Sequence, residues 1–317
     1  MSKTDLVKFT VIVPHYRDIE GLKLLMPSIP DRPDIQVIIV DDNSYDDASI
    51  VTKAIEDYKK SNVELVFNDP NHRGAGVCRN LALERACGRW LIYSDADDYF
   101  TEGAFDVFDS LYDRSEDIIF FPMTGIELPS GKKAVRQIIY QLKVEKYIKK
   151  PSHMAEVDLR YDFMVPWSKM VKKDFVVDNS IMYEDVMYSN DVIFCAKTGY
   201  CAKKIAADHR VVYCATRQSD RLASTKSKEA FITRFLVHMR KYEYLKGKIS
   251  SKELRYVTLW PGTHLIRAIK DGYGLETFKY VLNTYKEKKI SVFSFSLLRM
   301  IDVVHRKIVI LKVKITR

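Results

Sequence analysis

Residues 90–98 constrain the fold more than any other stretch, because an apolar run there ends abruptly in carboxylates. Residues 90–93 (Trp-Leu-Ile-Tyr) have the composition of a short buried strand, and residues 94–98 (Ser-Asp-Ala-Asp-Asp) follow at once. Clustered acids at the end of a buried strand are unfavourable unless a cation or a polar ligand lies beside them. The stretch therefore predicts a ligand site at the end of this strand.

The acids themselves suggest which ligand. Asp95 and Asp97 are two residues apart, so in extended backbone both side chains leave on the same side. This spacing suits one hard divalent cation, Mn²⁺ or Mg²⁺, whose remaining ligands are phosphate and water. The alternative is a solvated acidic turn, with Asp98 capping a helix that begins near Thr101.

Strands and helices alternate along the first hundred residues. Apolar, β-branched runs at 9–14, 36–41 and 63–67 read as further strands with helical spacing between them. This order predicts an α/β fold, Rossmann-like, with a mainly parallel sheet and helices on both faces. Ligands of such sheets bind beyond the carboxyl ends of the strands, where three polar segments fall; they are Pro14-His15-Tyr16, Asp41-Asp42-Asn43-Ser44 and residues 94–98.

The later elements are less regular. Residues 117–123 read as a strand, residues 134–140 as a returning strand, and residues 206–213 as strand-like. Residues 183–194 have helical character with acids at their start, as a helix N-terminus prefers. From residue 231 onward the chain is mostly helical and basic.

Charge divides the 317-residue chain at about residue 225. Residues 226–317 carry a net charge of +14 and residues 1–225 a net charge of −5. We therefore expect two domains, 1–225 and 226–317, the second facing an anionic partner such as a membrane surface or nucleic acid. Leu297 to Lys314 interleaves apolar and basic residues, which favours an anionic membrane surface over an ordinary packed helix. No recognised nucleic-acid motif is present, so nucleic acid is not an expected partner.

The cysteines bear on location. There are five, an odd number, and they form no Cys-x-x-Cys pair, which argues against a disulfide framework or a zinc site and for a reducing compartment. The chain begins without a basic-then-apolar leader and contains no apolar run of membrane-spanning length. We expect a cytoplasmic protein, peripheral on the inner face of the cell membrane if the basic region binds lipid.

Taken in order, several motifs resemble those of family 2 glycosyltransferases with the GT-A fold, over roughly residues 9–225. Those motifs are Val11-Ile12-Val13-Pro14, Ile38-Ile39-Val40-Asp41-Asp42-Asn43-Ser44-x-Asp46, Gly74-Ala75-Gly76-x-x-Arg79-Asn80-x-Ala82-Leu83, Ser94-Asp95-Ala96-Asp97-Asp98, Trp167-Ser168-Lys169 and Asn190-Asp191-Val192-Ile193-Phe194. The resemblance is strongest to bacterial enzymes that build capsule, lipopolysaccharide or other surface polysaccharides. It implies transfer of a sugar from a nucleotide-sugar donor, most often a UDP-sugar, to a glycan or lipid-linked oligosaccharide acceptor.

The resemblance also implies roles for single residues around the donor. Pro14 and Tyr16 border the nucleotide, and Asp42 accepts from the base N–H, as a carboxylate suits an imide donor. Arg79 reaches the base or the first acid pair, unless it is a surface helix arginine. In the last acid motif, Asp97 ligates the metal, and Asp95 meets the ribose or the metal's water shell; residues 95 and 96 (Asp-Ala) are counted with the donor site.

The acceptor side is implied in the same way. Asp191 is the first candidate for the general base and Asp185 the second, because the family has Glu-Asp where Asn190-Asp191 stands, while Glu184-Asp185 lies six residues earlier. One base and a direct displacement predict inversion at the anomeric carbon. Trp167 is either a platform for the acceptor sugar or a core residue.

Two basic residues and a histidine complete the candidates. Arg217 and Arg221 either close over the diphosphate or belong to a solvated loop. His209 is read as structural. A homodimer is an open expectation.

Other functions remain as alternatives. A sugar nucleotidyltransferase would be expected to carry a glycine-rich loop after the first strand, where this chain has none. A catalytically silent nucleotide-sugar-binding protein is suggested by the Asn190 departure.

Overall fold

The computed structural model describes residues 7–217, 226–258, 261–292 and 296–315. Packing divides them into two compact units, described here by residues 7–217 and 226–315. The predicted domain boundary at residue 225 lies outside the described residues and stays a prediction.

The first unit is an α/β structure. Its strands are β1 (Phe9–His15), β2 (Ile35–Asp41), β3 (Val63–Phe67), β4 (Trp90–Tyr93), β5 (Tyr99–Phe100), β6 (Ile118–Phe120), β7 (Met123–Glu127), β8 (Lys132–Lys133), β9 (Lys169–Lys172), β10 (Ile205–Ala207) and β11 (Tyr213–Arg217). Its helices are α1 (Ile19–Leu25), α2 (Ser49–Glu56), α3 (Ala75–Arg85), α4 (Ala104–Ser110), α5 (Ile138–Lys149), α6 (His153–Tyr161), α7 (Lys173–Asp178) and α8 (Asp191–Cys201).

The main sheet has the strand order β10-β6-β9-β4-β1-β2-β3. Its strands pair in parallel except β9, which runs antiparallel to both neighbours. The central strands are apolar throughout because helices cover both faces of the sheet. The predicted mainly parallel α/β fold is confirmed.

Strand register brings the predicted polar segments to one edge of this sheet. His15 pairs with Asp41 at the ends of β1 and β2. Ile12 of β1 pairs with Tyr93, the last residue of β4. Since β1 lies between β2 and β4, the residues that follow all three strands emerge together.

A second sheet, in the order β5-β11-β7-β8, lies beyond the acid turn. It differs from the sequence prediction in two places. Residues 134–140 are not a strand: the short β8 precedes them and α5 begins at Ile138. The strand-like run at 206–213 is two strands, β10 and β11, in different sheets.

The second unit is helical, as predicted. Its described helices are α9 (Lys228–Leu245), α10 (Ser251–Val257), α11 (Pro261–Lys270), α12 (Gly274–Glu287) and α13 (Leu297–Ile315). Its core is formed by side chains from α9, α11, α12 and the residues after α12; they are Phe231, Phe235, Met239, Ala268, Val281, Tyr285 and Ile290. Among the described residues, no helix is long and apolar enough to cross a bilayer.

Candidate active site

The ends of β1 and β2 are joined by a buried polar cluster. The backbone N–H of Asp18 donates to Nε2 of His15 at 3.2 Å, so the ring proton lies on Nδ1 and is donated to Asp41 at 2.6 Å. Ser44 also donates to Asp41, from both its backbone and its hydroxyl group. Burial alone would raise the pKa of Asp41, but the hydrogen bonds from His15 and Ser44 outweigh it and lower that pKa. The cluster fixes the relative position of the two strand ends.

Asp42 holds the loop that leads into α3. One carboxylate oxygen accepts from the Asn68 side chain at 2.8 Å, and the other accepts from the backbone N–H of Gly74 at 2.9 Å. Gly74 has φ +123°, a conformation that side chains disfavour. Arg73 donates to the backbone carbonyl of Asp42 at 3.1 Å. Asp42 therefore stands at the predicted edge of the sheet, and its carboxylate orders the surrounding loop.

An aromatic ring lies in the open beside this loop. Tyr16 is 45% exposed, and the guanidinium groups of Arg73 and Arg17 lie 4.9 and 5.3 Å from its ring centre. Pro14, at the end of β1, is partly exposed. This combination offers a flat surface and two positive charges, which suit a base and a phosphate respectively.

The acid turn after β4 is anchored by its last member. Asp98 is 3% exposed, and it accepts from the Tyr213 hydroxyl at 2.8 Å and from the Thr216 backbone N–H at 2.7 Å. The Thr216 hydroxyl donates to the backbone carbonyl of Asp97. Asp98 thus ties the turn to β11; it does not cap α4, which begins at Ala104.

The turn has the ligand chemistry of a divalent cation site. Carboxylate oxygens of Asp95, Asp97 and Asp98 lie within 4.8 Å of one another. Burial, and then the neighbouring carboxylates of Asp97 and Asp95, raise the pKa of Asp98 well above its usual range. Hard oxygen ligands with this excess of negative charge fit Mg²⁺ or Mn²⁺. Asp95 and Asp97, which are partly exposed, face the opening, whereas Ala96 between them is buried.

Arg79 connects the acid turn to the segment before α8. It is buried, and its two terminal nitrogens donate to Asp95 at 2.7 Å and to the side-chain oxygen of Asn190 at 2.9 Å. Its guanidinium also lies 5.3 Å from the ring centre of Tyr183. Arg79 was expected at the base or at the first acid pair, and it lies at the last acid motif instead. The reason is that the helical turn after Gly76 directs position 79 towards β4 rather than β2.

The segment 183–190 is docked tightly on the start of α3. A Cβ atom on Gly76 would lie 2.5 Å from the backbone oxygen of Glu184 and 2.8 Å from Cβ of Asn190, so only glycine fits. Asn80 donates to the backbone oxygen of Tyr183 and accepts from its N–H, at 3.0 and 2.8 Å. The glycine-rich motif and Asn80 therefore position this segment against the sheet edge.

The two candidate bases have different environments. Asp191 is the first residue of α8 and is partly buried. Burial raises its pKa, the Arg79 guanidinium opposes that shift, and the Asp95 carboxylate adds to it. Asp185 is 57% exposed at its side chain and lies 3.3 Å from the His72 ring. The structure brings Asp191 to the acid turn and leaves Asp185 at the surface.

Trp167 is a core residue, so the prediction of an acceptor platform is wrong. It is 2% exposed, and one face of its ring stacks on Tyr213 with centres 5.4 Å apart. Tyr140 packs edge-on against the ring at 5.6 Å. No face remains for a sugar.

The remaining basic candidates lie apart from these contacts. Arg217 is exposed at the end of β11, 3.8 Å from Glu127. Arg221 lies outside the described residues. His209 is exposed beside Asp208.

Three parts of the site were not foreseen from the sequence. They are the Asp98–Tyr213–Thr216 anchor, the position of Arg73 over Tyr16, and the contact of Asn68 with Asp42. Only Arg73 carried a local signal, because it immediately precedes the glycine-rich motif.

With this geometry established, comparison with known proteins decides the family. A family model described as Glycosyl transferase family 2 matches residues 10–176. The chain belongs to glycosyl transferase family 2. The predicted family and the expectation of a glycosyltransferase are therefore confirmed.

Among curated relatives, this glycosyltransferase is similar to poly(ribitol-phosphate) beta-N-acetylglucosaminyltransferase TarS of Staphylococcus aureus strain MW2. The two are 23% identical over 228 residues, which cover 69% of this chain and 37% of the relative. The matched region thus spans about a third of the relative's length.

Two solved structures share the fold. A crystal structure of S. aureus TarS 1–349 in complex with UDP-GlcNAc has a TM-score of 0.59 at 18% identity, covering 89% of this chain and 92% of that one. The mannosyltransferase PcManGT of Pyrobaculum calidifontis, in complex with GDP-Man and Mn²⁺, has a TM-score of 0.57 at 15% identity, with coverage of 96% and 87%. These similarities confirm the GT-A architecture.

Proposed function

We propose that this chain is an inverting, metal-dependent glycosyltransferase of bacterial surface-polysaccharide synthesis, using a UDP-sugar donor. The observation that carries the proposal is the meeting of the Asp42 loop, the 95–98 acid turn and Asp191 around one edge of the sheet. Arg79 links two of these three parts directly, since it contacts Asp95 and influences Asp191.

In this proposal, the nucleotide lies along the ends of β1 and β2. Tyr16 presents its exposed ring to the base, with Pro14 at its border, and Asp42 accepts from the base N–H. Arg73 and Arg17, which flank the Tyr16 ring, attract the phosphates. Uracil and guanine both carry a ring N–H that a carboxylate recognises, so a UDP-sugar and a GDP-sugar are both tested below.

Asp97 and Asp95 are the residues that would hold the divalent cation. A bound Mn²⁺ or Mg²⁺ would offset the charge that develops on the departing nucleoside diphosphate. Asp98 keeps the turn in place through β11. Arg79 orients Asp95 and limits the repulsion among the carboxylates.

Transfer requires one proton acceptor on the opposite side of the sugar. The acceptor hydroxyl oxygen bonds to the anomeric carbon as the bond from that carbon to the diphosphate oxygen breaks, and the hydroxyl proton passes to Asp191. A pKa raised by burial makes Asp191 a stronger base than an exposed aspartate. A single displacement of this kind inverts the anomeric configuration.

The acceptor is proposed to be a glycan or a lipid-linked oligosaccharide. The name of the curated relative specifies a poly(ribitol-phosphate) acceptor, which is a polymer of bacterial cell surfaces. Capsule and lipopolysaccharide precursors are acceptors of the same hydroxyl-bearing class. We further propose a cytoplasmic enzyme, supported by five free cysteines, and leave a homodimer as a prediction to be tested by light scattering.

A donor-hydrolysis screen tests the proposal. Purified protein is incubated with UDP-, GDP-, dTDP- and CMP-sugars, first with Mn²⁺ and then with a chelator. We expect release of UDP from UDP-sugars that stops in chelator. Release of pyrophosphate from nucleoside triphosphate and sugar phosphate would instead indicate a nucleotidyltransferase, and donor binding without turnover would indicate a silent binding protein.

A further inference from the structure

The outward face of α13 is apolar along its whole length. The residues on it recur at intervals of four and three, and each is between 48% and 75% exposed. A repeat of this kind places them in one stripe along the helix; they are Leu297, Ile301, Val304, Ile308, Leu311 and Ile315.

The opposite side of α13 carries the buried charge. Arg306 is buried and forms an ion pair with Asp302 one turn earlier. Arg299 lies 3.7 Å from the same carboxylate and 5.7 Å from the ring centre of Tyr256 in α10. The amphipathic pattern is therefore inverted relative to a helix that packs its apolar side inward. The stripe exposes apolar area that the core of this unit does not cover.

Cations border the stripe on both sides. With 100° per residue, Lys312 and His305 fall along one side, and Lys307 and Lys314 fall along the other. All four side chains are exposed, and the helix contains a single acid, which is Asp302 on the far side.

We propose that this face of α13 lies on the surface of an anionic lipid bilayer. The apolar stripe enters the boundary between headgroups and acyl chains, and the bordering lysines contact lipid phosphate groups. Docking on lipid is independent of sugar transfer. Only its consequence, delivery of the enzyme to a lipid-linked acceptor, rests on the proposed function.

The charge pattern favours lipid over a second copy of the chain. The four–three repeat would also suit a coiled coil, in which the bordering positions face those of the partner helix. Here those positions hold Lys307, Lys312, Lys314 and His305, so either orientation of an identical helix brings cation against cation. An anionic bilayer meets the same charges with opposite sign.

Vesicle co-sedimentation of the full chain tests this proposal. Vesicles of equimolar phosphatidylglycerol and phosphatidylcholine are compared with pure phosphatidylcholine, at about 0.1 M and about 1 M salt. We expect binding to the anionic vesicles that weakens at high salt. The double variant Val304→Gln/Ile308→Gln should lower the partition coefficient by at least about tenfold. Lys307→Gln/Lys314→Gln should lower it by about 30-fold, from about fivefold per cation.

The control removes two exposed lysines from the first unit, in Lys53→Gln/Lys203→Gln, and should leave vesicle binding unchanged. Circular dichroism verifies folding, and donor hydrolysis in solution should be the same in the α13 variants as in the wild type. Equal binding of wild type and Val304→Gln/Ile308→Gln would overturn the proposal. So would a dimer in solution that this variant dissociates, since it would make a second copy the occupant. Vesicle binding is measured without donor or acceptor, so failure of the transferase assignment would not affect it.

Discussion

Replacing Asp191 by asparagine should remove the general base while preserving the site around it. Asp191 is partly buried at the first position of α8, and asparagine has nearly the same shape. A positioned base contributes about 10²–10⁴-fold to rate, which is about 3–5 kcal/mol of transition-state stabilisation. We therefore expect kcat to fall within that range, with a nearly unchanged KM for the donor, because the proposed donor contacts lie on other elements.

The pH profile provides a second readout of the same change. Burial holds the pKa of Asp191 above its usual value of 3.8. The wild-type rate should therefore fall as pH drops through that raised pKa, because the protonated carboxyl cannot accept the acceptor's proton. In Asp191→Asn this acid limb should be absent. Both are measured as nucleoside diphosphate release in the presence of an acceptor, at saturating donor.

Asp185→Asn is the matched control. Its side chain is 57% exposed beside His72, and exposed ion pairs contribute only about 0–1 kcal/mol, so nearly full activity is expected. Full activity in Asp191→Asn combined with loss in Asp185→Asn would refute the assignment of the base. Thermal melting of both variants should show that neither has unfolded.

Three further predictions concern stability and local geometry. Gly76→Ala forces a methyl group to 2.5 Å from the backbone oxygen of Glu184, so we expect a loss of about 1–3 kcal/mol and reduced kcat, measured by urea unfolding and kinetics; unchanged values would contradict the docking of that segment. Asp98→Asn replaces one acceptor of the Tyr213–Thr216 anchor by a donor and should cost about 1–3 kcal/mol in the same unfolding assay, whereas wild-type stability would rule out the anchor. Burial, and then the charge of Arg267, lower the pKa of His264 from 6.5 to about 4, so the unfolded state binds its proton first and the second unit should lose stability as pH falls from about 6.5 to about 4, by up to about 3 kcal/mol; a His264→Gln variant should lack this pH dependence, and its persistence there would refute the cause.

The sheet and its polar edge were predictable because each depends on local patterns. Parallel strands buried on both faces are continuous apolar runs, and their ends are marked by the polar residues that follow, such as Asp41 and Asp95. Residues 134–140 were misread because Ala134, Val135 and the isoleucines form an apolar run that suits a strand or the start of a helix. Periodicity in so short a run does not separate the two.

Long-range pairing was beyond the sequence. Tyr213 and Thr216 reach Asp98 across more than a hundred residues, through a second sheet that no local pattern announces. The same contacts explain Trp167: its ring is covered by Tyr213, which also anchors the acid turn. Whether an aromatic residue lies in a core or presents a face to sugar depends on such distant neighbours.

The most direct test of the central claim is calorimetric titration of UDP into the protein, with Mn²⁺ and then with a chelator. If the acid turn holds a cation that binds the diphosphate, chelation and Asp97→Asn should each weaken UDP binding by at least about tenfold. Glu102→Gln, which removes an exposed acid five residues further on, should bind UDP as the wild type does. Equal affinity in Mn²⁺ and in chelator, and in Asp97→Asn, would contradict the account.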